Sequence, residues 1–251
     1  ATENIVMPAS LANGETKISN IALEPEVIDL INCLNTMGAK IELGDNRSVV
    51  IQGVTTLNGS NYSIIPDRIE ALTYIIAGAL AGDGLKIENL NIEHISNVLE
   101  TLKALPVDII FDENTVTVNK SNISEGIEIK TKEYPGFPTD VQAQMMVLMS
   151  MAKTKSVIDE NIFENRFMHV PELNRMGANI EINGKRAIIN PCLGLRGAPV
   201  MATDLRASVS LILAGLAAEG ETTLNRIYHL DRGYEQIEVK LEACGAEIKR
   251  V

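Results

Sequence analysis

Apolar and polar positions along the chain repeat with a period of roughly 70 residues. An eight-residue pattern occurs four times, and its starts are 68, 71 and 68 residues apart. Each copy combines the apolar end of an amphipathic helix, a glycine or proline that stops the helix, and the first residues of a strand. The copies are Leu34–Ile41, Leu102–Ile109, Leu173–Ile180 and Leu241–Ile248. Solenoid repeats are shorter, at about 20–50 residues, so this period indicates a pseudo-symmetric domain.

A second pattern with the same period contains a helix end, a polar turn and a short strand. Its copies span residues 11–20, 80–89, 151–160 and 216–225. Together the two patterns predict the α/β class, with three βαβαββ repeats over about residues 53–251 and a fourth that begins inside its first helix. We expect a chain that opens inside a repeat to be part of a longer protein.

Composition excludes several classes of protein. The 251 residues are 45% hydrophobic and 22% charged, which is typical of a globular domain. No apolar run approaches the ~20 residues of a membrane helix, and the chain does not open with a signal-peptide pattern. The net charge of −11 argues against nucleic-acid binding. The three cysteines and three histidines are scattered, which predicts a cytoplasmic protein without a disulfide framework, metal or other cofactor.

The starts of the predicted helices carry recurrent charged residues. Asp67, Asp140 and Asp204 precede the first helices of successive repeats, where an aspartate usually caps free backbone amides. Arginines stand beside them or at the starts of the second helices: Arg68, Arg166, Arg206 and Arg232. An arginine in the first helical turn opposes the helix dipole, so capping does not explain it.

Pseudo-threefold repetition would bring these helix starts together on one face of the domain. Helix N-termini and arginines both attract anions. The pattern therefore predicts a phosphate or carboxylate site whose affinity depends mainly on Arg166, Arg206 and Arg232. Arg68 carries less weight because it could pair with Asp67 or Glu70.

Two apolar features predict core packing rather than chemistry. The stretch Met145–Met151 is apolar all round, which is typical of a buried helix. Cys244 occupies the repeat position held elsewhere by Met37, Leu105 and Met176, so it is expected in the core.

Four stretches resemble signatures of the UDP-N-acetylglucosamine enolpyruvyl transferases, and the resemblance covers essentially the whole chain. They are Phe137–Gln144, Glu164–Leu173, Met201–Ser208 and Ile227–Glu235. The resemblance implies two similar domains of three repeats each, in which helices face inward and sheets outward, forming an inside-out α/β barrel with the active site in the cleft between domains. Residues 1–64 would be the last part of the first domain, and residues 65–251 the complete second domain.

The resemblance also implies a reaction and roles for particular residues. The enolpyruvyl group of phosphoenolpyruvate would pass to the 3′-hydroxyl of UDP-N-acetylglucosamine with release of phosphate, the first committed step of peptidoglycan synthesis. Asp140 would bind that hydroxyl and act as its general base. The remaining substrate contacts would be Arg232 to phosphoenolpyruvate, Arg166 and Arg206 lining the anionic pocket, Asp204 orienting its neighbours or assisting proton transfer, and Ile162 reaching the nucleotide sugar through its backbone.

The same resemblance limits what this chain is expected to do alone. The family's catalytic loop and several substrate-binding residues belong to the first domain, and they are absent here. The missing N-terminal portion of the same enzyme is therefore the expected partner, and the chain alone is expected to be inactive. Two alternatives remain: a non-catalytic binding or structural fragment, and a shikimate 3-phosphate enolpyruvyl transferase.

Overall fold

The computed structural model describes residues 1–251 and contains eight α-helices and twelve β-strands. The helices are α1 Thr2–Ala9, α2 Pro25–Thr36, α3 Arg68–Ala81, α4 Ser96–Ala104, α5 Gln142–Ser150, α6 Val170–Arg175, α7 Leu205–Ala217 and α8 Ile237–Ala243. The strands are β1 Glu15–Ser19, β2 Lys40–Gly44, β3 Ser48–Gln52, β4 Leu85–Ile87, β5 Ile109–Asp112, β6 Thr115–Val118, β7 Glu128–Lys130, β8 Ser156–Asp159, β9 Asn179–Asn183, β10 Arg186–Asn190, β11 Pro199–Met201 and β12 Thr223–Asn225.

The sheets confirm the predicted repeat. Three of them have the same antiparallel topology, β1-β3-β2, β4-β6-β5 and β8-β10-β9. In each sheet the last strand of the repeat, β3, β6 or β10, lies in the middle. The strands that follow the first and second helices of the repeat pair with it on either side. Strand β7 adds to the third sheet parallel to β8. The repeat therefore appears as one supersecondary unit used several times.

The last repeat departs from the prediction. Its sheet consists only of the parallel pair β11-β12. The predicted closing strands are not seen, and residues 246–251 have no regular structure. A strand needs a hydrogen-bonded neighbour, and this segment has none in the structure.

Contacts divide the chain into two compact units. The first comprises 1–66 together with 133–135, and the second comprises 67–132 together with 136–251. The first unit has its own apolar core, which includes Val6, Ile31 and Ile51. The inclusion of 133–135 in the first unit was not predicted. The assignment of residues 1–64 and 65–251 to the first and second domains of a larger enzyme stays a prediction.

In the second unit, three helices form the centre. The first helices of the three repeats, α3, α5 and α7, pack against one another. All nine residues of α5 are buried, which confirms the prediction for its Met-rich stretch. The sheets lie outside, and strands such as β10 alternate buried positions with exposed or half-buried ones. This arrangement of helices inside and sheets outside confirms the predicted fold class.

Close packing between helix and sheet depends on a glycine in α3. A Cβ added to Gly78 would lie 2.2 Å from Cγ1 of Val118 in β6, which is far closer than two carbon atoms approach. Any side chain at this position would push α3 away from its sheet.

The α3 helix begins with Asp67, whose carboxylate accepts hydrogen bonds from the backbone amides of Ile69 and Glu70.

The prediction that Cys244 lies in the core is wrong. Its side chain is exposed at the end of α8. At the equivalent positions Leu105 and Met176 are fully buried, whereas Met37 is half-buried. A pair of strands follows each of those three positions, and none follows Cys244. None of the helices is long and apolar enough to cross a membrane.

Candidate active site

Asp140 lies between two arginines. It occupies the 3-10 turn Thr139–Val141, directly before α5. Its Oδ1 accepts a hydrogen bond from Arg166 Nη2 at 2.5 Å, and its Oδ2 accepts one from Arg206 Nη2 at 3.1 Å. The side chain of Asp140 is 39% exposed, so the cluster is open to solvent. The structure thus brings together three of the predicted site residues.

Asp204 places Arg206 in this cluster by starting α7. Its Oδ1 accepts hydrogen bonds from the backbone amides of Arg206 at 2.8 Å and Ala207 at 2.9 Å. Asp204 is therefore the N-cap of α7 and satisfies two otherwise free amides. Arg206 opposes the dipole of α7, and its ion pair with Asp140 offsets that cost. A direct part for Asp204 in proton transfer stays a prediction.

A chain of hydrogen bonds connects Arg206 back to Asp140. Arg206 Nη1 donates to Tyr234 Oη at 3.4 Å, and Tyr234 Oη lies 2.9 Å from Thr73 Oγ1. Gln144 Nε2 donates to Thr73 Oγ1 at 3.4 Å and to the carbonyl oxygen of Asp140 at 3.0 Å. All three intermediate side chains are buried. The three central helices thus share one polar circuit that fixes the guanidinium of Arg206 relative to Asp140.

Burial and charge act in opposite directions on two members of this circuit. Burial lowers the pKa of Arg206, but the carboxylate of Asp140 and the hydroxyl of Tyr234 outweigh it, so the pKa lies above its ordinary value. Burial raises the pKa of Tyr234, and its hydrogen bonds with Thr73 and Arg206 reduce that rise. Near neutral pH, Arg206 is therefore a cation and Tyr234 a neutral phenol.

Glu160 is a buried carboxylate beside this cluster, with 1% of its surface exposed. Its Oε1 accepts hydrogen bonds from the Thr131 hydroxyl at 2.9 Å and from the backbone amides of Ile162 at 2.9 Å and Phe163 at 3.1 Å. Its Oε2 accepts one from the Thr139 hydroxyl at 2.9 Å. Three donors thus converge on Oε1 and one on Oε2, so both oxygens of this buried side chain have hydrogen-bond partners. The backbone of Ile162, a predicted site residue, is thereby held next to the turn that carries the central carboxylate.

The sequence pattern itself distinguishes Glu160, although its role was not predicted. Glu160 ends the third copy of the second repeat pattern, and the other copies end in asparagine at Asn20, Asn89 and Asn225. A charged residue that replaces a recurrent neutral one departs from the repeat. Such departures are expected at functional sites.

Arg232 is not connected to the Asp140 cluster. It ends the 3-10 helix Ile227–Arg232 and is exposed, and its side chain makes no hydrogen bond or ion pair. No contact joins it to Arg166 or Arg206. Its place in the same anionic site therefore stays a prediction.

His169 is a buried side chain packed against α5. It is 2% exposed, and its Nε2 lies 3.2 Å from the sulfur of Met146 in α5. Burial lowers the pKa of His169 from 6.5 to about 4, despite an opposing effect of the nearby Asp204 carboxylate. The imidazole is therefore neutral in the folded protein near neutral pH and serves as packing.

We expect His169 to make the folded chain less stable as the pH falls from 6.5 to about 4. In this window the unfolded state binds a proton that the folded state does not, so protonation favours unfolding. Above the window His169 has no effect, and below it the loss reaches about 3 kcal/mol. Urea unfolding across the window should show this loss in the unsubstituted chain and not in His169→Asn. Equal pH slopes in the two proteins would contradict the assignment.

Comparison with known proteins identifies the family. The sequence pattern of the family described as EPSP synthase (3-phosphoshikimate 1-carboxyvinyltransferase) matches residues 1–241. The chain belongs to this family. Within it, the chain is similar to the UDP-N-acetylglucosamine 1-carboxyvinyltransferases, with 55% identity over 251 residues to that of Granulibacter bethesdensis and 54% to that of Gluconobacter oxydans. These relatives confirm the resemblance found in the sequence.

The relatives are longer than this chain. Each alignment covers 100% of this chain and 60% of the relative, so the chain spans 60% of the length of the curated relatives it matches. The enolpyruvyl transferase NikO from Streptomyces tendae has a TM-score of 0.90 at 28% identity, over 99% of this chain and 59% of NikO. EPSP synthase from Acinetobacter baumannii has a TM-score of 0.73 at 17% identity, over 96% of this chain and 58% of that enzyme. The latter likeness concerns the fold alone.

Proposed function

We propose that the second unit carries catalytic groups for transfer of the enolpyruvyl group of phosphoenolpyruvate to the 3′-hydroxyl of UDP-N-acetylglucosamine. The observation that carries the proposal is the carboxylate of Asp140, held between the guanidiniums of Arg166 and Arg206 at a partly exposed surface. In the cell this reaction would be the first committed step of peptidoglycan synthesis, in the cytoplasm. The portion of the relatives that this chain does not span would supply the rest of the site.

The reaction requires a base and cationic groups close together. The sugar oxygen forms a C–O bond to C2 of phosphoenolpyruvate as its hydroxyl loses a proton and C3 gains one. C3 then loses a proton as the C–O bond to phosphate breaks, which restores the C=C bond and releases phosphate. Asp140 would accept the proton of the hydroxyl, and general bases contribute typically 10²–10⁴-fold. Arg166 and Arg206 would neutralise the carboxylate and phosphate of phosphoenolpyruvate.

Substrate anions and Asp140 compete for the same two guanidiniums. Each guanidinium donates to one oxygen of Asp140. An incoming phosphate or carboxylate would accept from the remaining guanidinium N–H groups, of which an arginine has five. Where a guanidinium N–H group turns from Asp140 to the substrate anion, the released oxygen of Asp140 becomes more available to the sugar hydroxyl. Anion binding and activation of the base are therefore coupled in the proposed mechanism.

The test is release of phosphate from phosphoenolpyruvate by the whole protein that carries this sequence. The acceptors compared are UDP-N-acetylglucosamine, shikimate 3-phosphate and none. Release that depends on UDP-N-acetylglucosamine supports the proposal. Release with shikimate 3-phosphate alone supports the shikimate-type alternative, and absence of release with both acceptors favours a binding or structural role.

Replacing Arg232 with alanine should chiefly weaken the binding of phosphoenolpyruvate. A lost hydrogen bond between charged groups costs about 1.5–3 kcal/mol, which corresponds to a rise in KM of roughly 10- to 100-fold. Arg226→Ala is a matched control, because Arg226 lies in the same segment and donates to the Tyr228 hydroxyl at 3.1 Å. Steady-state kinetics with varied phosphoenolpyruvate measures the effect. An unchanged KM in Arg232→Ala would refute the role.

A further inference from the structure

We propose that Glu160 is a positioning residue that sets the distance between the base Asp140 and the loop that carries Ile162 and Arg166. The inference rests on the proposed function, and it adds a residue that touches neither substrate. It follows from one closed circuit of hydrogen bonds and backbone. That circuit runs through Glu160, the Thr139 hydroxyl, the adjoining Asp140, and Arg166 back along the loop.

The first half of the circuit holds the turn of the base. Thr139 begins the 3-10 turn and its hydroxyl donates to Glu160 Oε2 at 2.9 Å. Asp140 is the next residue in the chain. A shift of Thr139 would therefore move the carboxylate directly, because only one peptide unit separates them.

The second half of the circuit holds the loop. The amides of Ile162 and Phe163 both donate to Glu160 Oε1, and the amide of Asn161 donates to the Thr131 hydroxyl at 2.8 Å, which itself donates to Glu160. Three successive backbone amides are thus tied to Glu160, directly or through one hydroxyl. Three residues after Phe163, Arg166 of the same loop donates a hydrogen bond to Asp140.

The chemistry of the four donors requires an acceptor at this position. A buried carboxylate without a cation is costly unless hydrogen bonds satisfy it, and here two hydroxyls and two amides do so. A shorter or apolar side chain would leave two buried amides without partners. Since the loop has no regular secondary structure over 160–163, these bonds are what fix its backbone.

Thr139 provides a test that keeps Glu160 itself in place. Thr139→Val is nearly isosteric and removes the donor to Oε2, whereas Thr139→Ser keeps it. A misplacement of about 1 Å at a reacting group can lower the rate by 10²-fold. We therefore expect kcat for enolpyruvyl transfer to fall roughly 10- to 100-fold in Thr139→Val, while Thr139→Ser retains it and the KM for phosphoenolpyruvate changes little in both.

A stability control separates positioning from general damage. The Ser150 hydroxyl is buried at the far end of α5 and donates to the Met146 carbonyl at 2.8 Å. Ser150→Ala therefore removes a buried hydroxyl of the same domain without touching the circuit. It should lower the free energy of unfolding as Thr139→Val does and leave kcat unchanged.

Amide hydrogen exchange tests the loop independently of catalysis. In the whole protein the amides of Ile162 and Phe163 should exchange slowly, and they should exchange faster in Glu160→Ala. Glu160→Gln, which keeps an oxygen acceptor, should retain much of the protection. If Glu160→Ala does not fold, the comparison of Glu160→Gln with Thr139→Val still reports both halves of the circuit.

The outcomes separate this inference from the proposed function. If the unsubstituted enzyme transfers the enolpyruvyl group and Thr139→Val has the kcat of Thr139→Ser, the positioning role is overturned. Unchanged exchange of Ile162 and Phe163 in Glu160→Ala also overturns it. If the unsubstituted protein shows no transfer, the proposed function fails, and the exchange data alone decide whether Glu160 holds the loop.

Discussion

Turnover is expected to fall by about 10²–10⁴-fold when Asp140 is replaced by alanine or asparagine in the whole enzyme. Asp140 is the only carboxylate held by both Arg166 and Arg206, and its partly exposed oxygens can reach a substrate hydroxyl. Asparagine keeps the size of the side chain and has no useful basicity. The loss should therefore be nearly the same in Asp140→Asn and Asp140→Ala, and it should appear in kcat.

The ion pairs give this prediction a second readout. Removing the charge of Asp140 frees two guanidiniums from competition, so the KM for phosphoenolpyruvate should not rise and is expected to fall. Glu128→Gln is a control, because Glu128 accepts from Arg186 at 3.2 Å on the outer sheet. That variant should keep both constants. Near-normal turnover in Asp140→Asn would show that another group removes the proton.

Much of the fold was predictable because burial imposes a period on the sequence. The octapeptides mark helix ends, and the structure places α2, α4, α6 and α8 there, each followed by a strand in the first three repeats. The all-apolar composition of α5 predicted that no face of it meets solvent, and none does. Local propensity and global packing agree in these elements, as expected for a repeated unit.

The sequence pattern wrongly predicted strands after α8 in the last repeat. The segment after Cys244 has the pattern of the earlier strands, but a strand forms only with a bonded neighbour. Cys244 lies at the helix end directly before this segment and is exposed. The hydrophobic pattern of a segment predicts whether it favours a strand. Whether the strand forms depends on a neighbouring strand to which it can hydrogen-bond.

The candidate site was predictable at the level of residue types. Charged residues at helix starts indicated an anion site, and pseudo-symmetry indicated that such starts converge. The structure brings Asp140, Arg166 and Arg206 into contact. It also shows Asp204 as a helix cap, which is the ordinary role of an aspartate at that position.

The buried polar circuit could not be predicted from periodicity. Thr73, Gln144 and Tyr234 are separated by 71 or more positions where they meet, and each occupies a site that the pattern fills equally well with an apolar residue. Which side chains face one another at the centre of three packed helices depends on rotamers and on helix rotation. Those are properties of the packed structure.

Replacing Arg206 with methionine is expected to lower kcat/KM for phosphoenolpyruvate by about 10²–10³-fold, the effect of removing one preorganised donor from a charged transition state. Arg206 is the member of the cluster whose orientation is fixed from both sides, by Asp140 at 3.1 Å and by Tyr234 at 3.4 Å. Methionine keeps most of the packing volume, so the chain should still fold. Steady-state kinetics and urea unfolding of the same samples separate the two effects.

Lysine at this position distinguishes charge from geometry. Arg206→Lys keeps the positive charge but replaces a planar fork with a single ammonium, which cannot reproduce the two-sided contact. Recovery of only part of the lost activity in Arg206→Lys would show that orientation matters in addition to charge. Arg186→Met is the matched control, since Arg186 makes hydrogen bonds of 2.6 and 2.7 Å to Asp159 on the outer sheet. If Arg206→Met retained the activity of Arg186→Met, the polar circuit would be structural and the anion would have to be held by other residues.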